Sequence, residues 1–128
     1  MGCVSTSIIC ERSFAFGLRI LKVADLIQGR GPAARHVAGQ LIRCGTSVGS
    51  NAEEAQEAQT KADFVAKLSV SRKEAREVEY WLRMGVAAGA MQTQEVSWEL
   101  DEAQQLLRMI REAFRTARSS PDRGSSSN

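Results

Sequence analysis

Residues 44–56, CGTSVGSNAEEAQ, can be interpreted either as a ligand-binding loop or as the middle of a helix. Gly45 and Gly49, surrounded by hydroxyl and amide side chains, are typical of turns and phosphate-binding loops. A phosphate loop of the Walker type has Lys and then Ser or Thr after its last glycine, whereas Ser50 and Asn51 follow Gly49. Helix-forming residues flank the stretch on both sides, and no predicted strand precedes it. The stretch is therefore predicted to lie inside a helix, where its glycines let another backbone approach closely.

Apolar residues recur at intervals of three and four on both sides of this stretch, which predicts amphipathic helices. Pro32 is expected to open the second helix, Thr60 with Asp63 to cap the third, Gly89 to end the third, and Thr93 to cap the fourth. The 128 residues are enough for one domain. The fold class is predicted to be all-α, an up-down-up-down four-helix bundle. Its helices are expected at about 13–28, 33–59, 60–89 and 93–118.

The two ends of the chain are predicted to lie outside the bundle, which is expected to span residues 13–118. Residues 1–12 are expected to be a flexible N-terminus, and SSPDRGSSSN at 119–128 a disordered polar tail. The start, MGCVST, also fits a weak pattern for myristoylation of Gly2 with Cys3 as a candidate palmitoylation site. No apolar run is long enough to span a membrane, and an odd cysteine count favours reduced thiols. A cytoplasmic protein without membrane contact is expected.

Polar residues fall on one face of the second predicted helix. Ser47, Asn51 and Glu54 stand at i, i+4 and i+7, and a buried amide or carboxylate needs a hydrogen-bonding partner. The third predicted helix offers candidate partners in a row that borders its apolar residues. These side chains are predicted to fix how the second and third helices pack. Together they form a polar seam of Ser47, Asn51, Glu54, Lys67, Glu74, Glu77, Tyr80 and Trp81.

Two carboxylate pairs raise the alternative of a metal enzyme. Glu54 with Glu57 and Glu74 with Glu77 each form an E-x-x-E motif on a predicted helix. Carboxylate-bridged centres in bundles use E-x-x-H on two helices, and the single histidine, His36, is distant from all four glutamates. Ion pairs with neighbouring cations are the favoured interpretation, and no cofactor is expected.

Nucleophilic catalysis is not favoured either. Ser47 and Cys44 lie on the second predicted helix without a histidine nearby to act as a base. The chain is therefore expected not to be an enzyme.

The fourth predicted helix carries a basic stripe. The chain as a whole has 17 Lys and Arg against 15 Asp and Glu, so any affinity for nucleic acid must come from a local patch. Four arginines recur at 3-4-3 spacing one position past the apolar row, and they are the candidate nucleic-acid-binding residues. The alternative is a solvated or subunit-facing stripe that complements the helix dipole. The stripe comprises Arg108, Arg111, Arg115 and Arg118.

Three pieces of the sequence between residues 41 and 84 form a recognisable set of motifs. They are an S-[IV]-x-x-N-x-x-E motif, a D-F-x-x-K motif and the run KEAREVEYWL at 73–82. The first two consist of Ser47, Val48, Asn51 and Glu54, and of Asp63, Phe64 and Lys67. In these motifs residues 41–84 resemble a known family, the four-helix-bundle proteins encoded in intervening sequences of bacterial 23S ribosomal RNA genes. The accessory variability determinant of diversity-generating retroelements is a more distant relative.

The resemblance implies a cytosolic bacterial protein that forms a ring-shaped homo-oligomer, with a pentamer as the expected subunit number. It implies no demonstrated enzymatic activity. In the retroelement relative, a basic ring is thought to bind nucleic acid and a reverse transcriptase. Three functions therefore remain open: an oligomeric scaffold that binds RNA or DNA through the arginine stripe, a protein-interaction module without nucleic-acid binding, and, less favoured, a metal enzyme.

Overall fold

The computed structural model describes residues 5–121. Within that range all regular structure is helical, so the all-α prediction is confirmed. Each helix packs against the next along the chain, and α1 closes the ring by contacting α4. This arrangement is that of a four-helix bundle. The helices are α1 (Thr6–Ile27), α2 (Pro32–Gln56), α3 (Lys61–Ala87) and α4 (Ser97–Ser119), with a 3-10 helix at Thr93–Glu95 before α4.

The core lies along the bundle axis and is built from the predicted apolar rows. Each helix contributes aliphatic or aromatic side chains that are fully buried, because residues three and four apart share one helical face. Burying one such side chain contributes about 1.5–3 kcal/mol. The largest of them are Phe16, Ile20 and Ile27 of α1, Leu41 and Val48 of α2, Leu68 and Leu82 of α3, and Leu106 and Ile110 of α4.

The opening stretch lies inside α2, as predicted, and its glycines face α1. A methyl group added to Gly45 would lie 2.5 Å from Cγ2 of Ile20, and one added to Gly49 would lie 3.4 Å from Ser13. A methyl group on Gly17 of α1 would lie 3.3 Å from the Gly45 carbonyl oxygen. The small residues therefore allow the two backbones to approach closely.

Two ion pairs join α1 to α4 at the edge of the core. Arg12 donates from Nε and Nη2 to the two carboxylate oxygens of Glu102, over 2.9 and 2.7 Å, and from Nη2 to Gln105 over 2.8 Å. Arg19 donates to Glu99 over 3.1 Å. Both carboxylates are buried, so these arginines supply the cations that a buried charge requires.

The start of the bundle differs from the prediction. Helix α1 begins at Thr6 rather than at about Ser13, and Ser5 caps it by accepting a hydrogen bond from the Ser7 backbone N–H over 3.1 Å. Residues 6–12, predicted as part of a flexible terminus, form the first turns because Ile9 and Cys10 are buried in the same core. Residues 1–4 and 122–128, which hold the myristoylation pattern and most of the predicted tail, lie outside the described residues.

Most of the residues predicted to begin or end helices do so, and one prediction is wrong. Pro32 occupies the first turn of α2, and Thr60 accepts a hydrogen bond from the Asp63 N–H over 3.1 Å, both as predicted. Gly89 follows α3 with a φ of 81°, the left-handed conformation that favours glycine. The Thr93 prediction is wrong: Thr93 opens the 3-10 helix, and α4 begins four residues later at Ser97.

Helix α2 ends at Gln56, before the predicted end at Gln59. The residues between Gln56 and Thr60 connect the two helices. They change the chain direction so that Thr60 can adopt the extended backbone conformation of the α3 cap. No helix within residues 5–121 has the length and apolarity to cross a membrane.

Candidate functional site

The four arginines of the predicted stripe are all exposed along the outer face of α4. Arg115 donates to Glu112 over 3.1 Å, an ion pair between residues on one helix. Arg108 and Arg111 make no hydrogen bond or ion pair with any residue of the range 5–121. The α4 stripe, Arg108, Arg111, Arg115 and Arg118, therefore presents guanidinium groups to solvent.

Phe114 connects the α4 stripe to α3. The Arg118 guanidinium carbon lies 5.5 Å from the centre of its ring, and that of Arg72, from α3, lies 4.8 Å away. Cations are attracted to the electron-rich faces of aromatic rings, so Phe114 holds a guanidinium group from each helix at its ring without neutralising either of them. The basic surface thus continues from α4 onto α3. Arg72 was not predicted, because its contact with Phe114 exists only once the helices pack.

The polar seam lies where α2 meets α3, but its hydrogen bonds differ from the prediction. Asn51 donates to the Ser47 carbonyl and hydroxyl oxygens over 2.9 and 3.0 Å, so α2 itself satisfies this amide. The contact between Glu54 and Lys67 is long, at 3.9 Å, and Glu54 is largely exposed. The buried polar link between the helices is instead Ser71 of α3, which donates to the Val48 carbonyl over 2.7 Å. The sequence signal that could have predicted this hydrogen bond is the presence of a serine, Ser71, within the apolar row of α3.

Arg43 of α2 contacts two carboxylates of α3. Its guanidinium lies 2.9 Å from Glu77 Oε1 and 3.6 Å from Glu74 Oε1. The Glu74 side chain is mostly buried, and its Oε1 accepts no hydrogen bond from the range 5–121. Burial, reinforced by the nearby Glu77 charge, raises the pKa of Glu74. Arg43 was missed, although it lies one turn before Ser47 on the same polar face of α2.

The aromatic residues of the seam form a small cluster with His36. The ring centres of Tyr80 and Trp81 are 5.1 Å apart with planes at 85°, and those of His36 and Trp81 are 5.5 Å apart at 69°. Tyr80 and His36 are exposed, whereas Trp81 is half-buried. The cluster joins the first half of α2 to the last turns of α3.

A model of the family described as 23S rRNA-intervening sequence protein matches residues 5–112 of the chain. The chain belongs to this family. A solved structure of a protein of unknown function from the S23 ribosomal protein family of Bacteroides thetaiotaomicron is similar to this intervening-sequence protein, with a TM-score of 0.78. The identity is 25%, and the match covers 86% of this chain and 97% of that one. No curated protein matches. The predicted family is thereby confirmed.

The carboxylates of this intervening-sequence protein do not converge on a metal-binding geometry in the described range. No group of three or more His, Cys, Asp or Glu side chains within residues 5–121 is arranged to hold a metal ion. Three of the four glutamates of the E-x-x-E pairs lie near cations instead: Lys67 is 3.9 Å from Glu54, and Arg43 is within 4 Å of both Glu74 and Glu77.

The candidate nucleophiles of the intervening-sequence protein have structural contacts. Burial raises the pKa of Cys44 to about 12, so this thiol is protonated at neutral pH and is a poor nucleophile. Ser47 accepts the hydrogen bond from Asn51 and lies beside no histidine. Both side chains serve the packing of α2.

Proposed function

We propose that this protein is a non-catalytic, self-associating scaffold that binds RNA or DNA phosphates through the α4 stripe. The observation that supports this function is the row of four exposed arginines on one helical face, of which Arg108 and Arg111 have no protein partner in the described range. Exposed cations without a carboxylate partner are available to neutralise phosphates and release their counterions.

The length of the stripe fits a short segment of nucleic acid. Arg108 and Arg118 are ten residues apart, which corresponds to about 15 Å along a helix. A strand advances about 3.4 Å per nucleotide in duplex geometry, so the stripe covers about four or five nucleotides. Such contacts read the backbone and carry no sequence information by themselves. Binding of mixed sequences is therefore expected.

Charge reversal of the stripe tests the proposal. The wild-type protein is expected to bind a mixed-sequence 20-nucleotide RNA at low salt, with a slope of log affinity against log salt of about −2 to −3, because three or four phosphates are neutralised. The double variant Arg111→Glu with Arg115→Glu is expected to lower the affinity at least about ten-fold and to flatten this slope. Fluorescence anisotropy across a salt series measures both quantities.

A matched control separates the stripe from the overall charge. Lys22→Glu with Arg35→Glu changes the net charge equally at exposed positions on α1 and α2, and is expected to retain most of the affinity. An equal loss in the two double variants would refute a localised site. Absence of binding by the wild-type protein at low salt would refute nucleic-acid binding and would leave a protein-interaction module as the remaining function.

Self-association is the second part of the proposal, and an exposed apolar patch supports it. Phe14, Leu18 and Leu21 of α1 are 62%, 50% and 36% exposed, and Ile42 of the neighbouring α2 is 39% exposed. The three α1 residues stand at 4-3 spacing and therefore share one face, outside the bundle core. An exposed apolar surface of this kind is typical of an interface, and soluble oligomers usually use the same surface on every subunit or a ring of repeated contacts. The resemblance to the family favours a ring of five subunits.

Introducing a charge into the patch tests the assembly. Light scattering coupled to size-exclusion chromatography is expected to give a multiple of the 14.0 kDa chain mass for the wild-type protein. Leu18→Glu is expected to shift the mass to that of a monomer, because the interface would bury an unpaired carboxylate. Leu26→Glu, at a residue of α1 that is 53% exposed but lies off this row, is the control and is expected to keep the assembly. A monomeric wild-type protein would contradict self-association.

A further inference from the structure

We propose that the outer face of α3 is a base-stacking site, so that the nucleic acid bound by this protein is single-stranded. The inference rests on the proposed function and deepens it by naming the class of nucleic acid. In this arrangement the α4 stripe contacts the sugar-phosphate backbone, while Tyr80 of α3 stacks on an unpaired base.

Cationic side chains lie on both sides of Tyr80 along the same face of α3. Lys73, Arg76, Tyr80 and Arg83 stand at 3-4-3 spacing and are all exposed, so they share the outward face of α3. None of the three cations makes a hydrogen bond or an ion pair with a residue of the range 5–121. Together with Arg43 they line a shallow surface depression of about 520 Å³.

The charge of this depression favours phosphate. Its four cations face two carboxylates, Glu74 and Glu77, and Arg43 already pairs with both of them. The three cations on the outer face of α3 are therefore left to contact an external anion.

The aromatic cluster supplies surfaces for bases. Tyr80 is 43% exposed and contacts Trp81 edge to face at 85°, and Trp81 contacts His36 in the same way at 69°. Edge-to-face packing leaves the rings unstacked on one another, so the exposed part of the Tyr80 ring is available to a planar ligand. A base stacked on an aromatic side chain strengthens binding about 5- to 150-fold, whichever base it is.

The position of α3 connects this site with the α4 stripe. Helix α3 packs against α2 on one side and α4 on the other, and Phe114 holds Arg72 of α3 and Arg118 of α4 at its ring. One side of the bundle thus carries cations from α4 across α3 to Arg43 of α2. A duplex could contact the cations, but its bases are already stacked on one another, so only an unpaired strand could also use Tyr80.

The test compares three probes of equal length: a mixed-sequence 15-nucleotide DNA strand, its duplex, and an abasic strand that has the sugar-phosphate backbone without bases. Wild-type protein is expected to bind the base-containing strand at least about five-fold more tightly than either other probe. Tyr80→Ala is expected to remove this preference and to leave affinity for the abasic strand unchanged, whereas Tyr80→Phe retains the preference. Trp98→Ala, at an aromatic residue of α4 that is also 43% exposed, is the matched control and is expected to keep the preference.

The possible outcomes distinguish failure of the base-stacking site from failure of the proposed function on which it rests. If wild-type protein binds all three probes equally, or if Tyr80→Ala weakens all three alike, the stacking site is refuted while phosphate binding through the α4 stripe stands. If Tyr80→Ala leaves every affinity unchanged but lowers the mass measured by light scattering, the face contacts a second copy of the chain and the inference is overturned. If wild-type protein binds no probe at low salt, the proposed function itself fails.

Discussion

Replacing Arg12 with methionine is expected to lower the free energy of unfolding by about 2 kcal/mol. Arg12 donates two hydrogen bonds to Glu102 and one to Gln105, and the Glu102 side chain is only 10% exposed. Methionine retains an unbranched apolar side chain in place of the arginine stem but leaves this carboxylate without its cation. Breaking a fully buried pair costs about 3–5 kcal/mol, and the cost here is lower because the Arg12 side chain is 34% exposed. Urea denaturation followed by circular dichroism measures the difference.

Two further variants isolate the cause of this loss. Adding Glu102→Leu to Arg12→Met removes the unpaired carboxylate and is expected to recover at least half of the lost stability, because an apolar pair can replace a buried ion pair. Arg115→Met removes a cation that is 73% exposed and is expected to cost less than about 0.5 kcal/mol. Equal losses for Arg12→Met and Arg115→Met would show that burial of Glu102 does not set the cost.

The helical fold could be predicted because its signal is local. Apolar residues at intervals of three and four identify a buried face in one helix, whatever packs against it. The start of α1 was missed because Glu11 and Arg12 follow Ile9 and Cys10, and two charged residues look like the end of an apolar row. In the bundle, Arg12 turns toward Glu102 of α4 and Ile9 enters the core, so only the packed helix shows that the row continues.

The candidate sites also contain features that could be predicted from the sequence and features that could not. Exposure of the α4 stripe could be predicted, since residues displaced by one from an apolar row lie at its edge or beyond it. The partners of the polar seam could not, because the sequence does not decide whether Asn51 bonds to the acceptors four residues earlier on α2 or to another helix. The local acceptor is used, since it needs no tertiary contact. The sequence placed Arg43 on the polar face of α2, but its partners, like those of Arg72, became visible only through the carboxylates and the ring that other helices place beside them.

Replacing Gly45 with alanine is expected to destabilise the bundle, although alanine is the better helix former. In an exposed helix this change gains up to about 1 kcal/mol. At Gly45 the new methyl carbon would lie 2.5 Å from Cγ2 and 2.9 Å from Cβ of Ile20. Both atoms belong to the stiff, branched part of a fully buried side chain, so α1 and α2 must move apart. Overpacking of this kind costs about 1–3 kcal/mol, and a net loss of about 1–2 kcal/mol is expected.

Gly39→Ala is the matched control within the same helix. Gly39 is exposed on α2, and a methyl group added there has no neighbour within 4 Å. The change is therefore expected to stabilise the protein by up to about 1 kcal/mol, through helix propensity alone. Thermal melts at one protein concentration should move Tm in opposite directions, downward by about 5 °C for Gly45→Ala and upward by a few degrees for Gly39→Ala. A rise in Tm for Gly45→Ala would show that the two backbones can separate at little cost, and that the glycine at this position is not needed for their close approach.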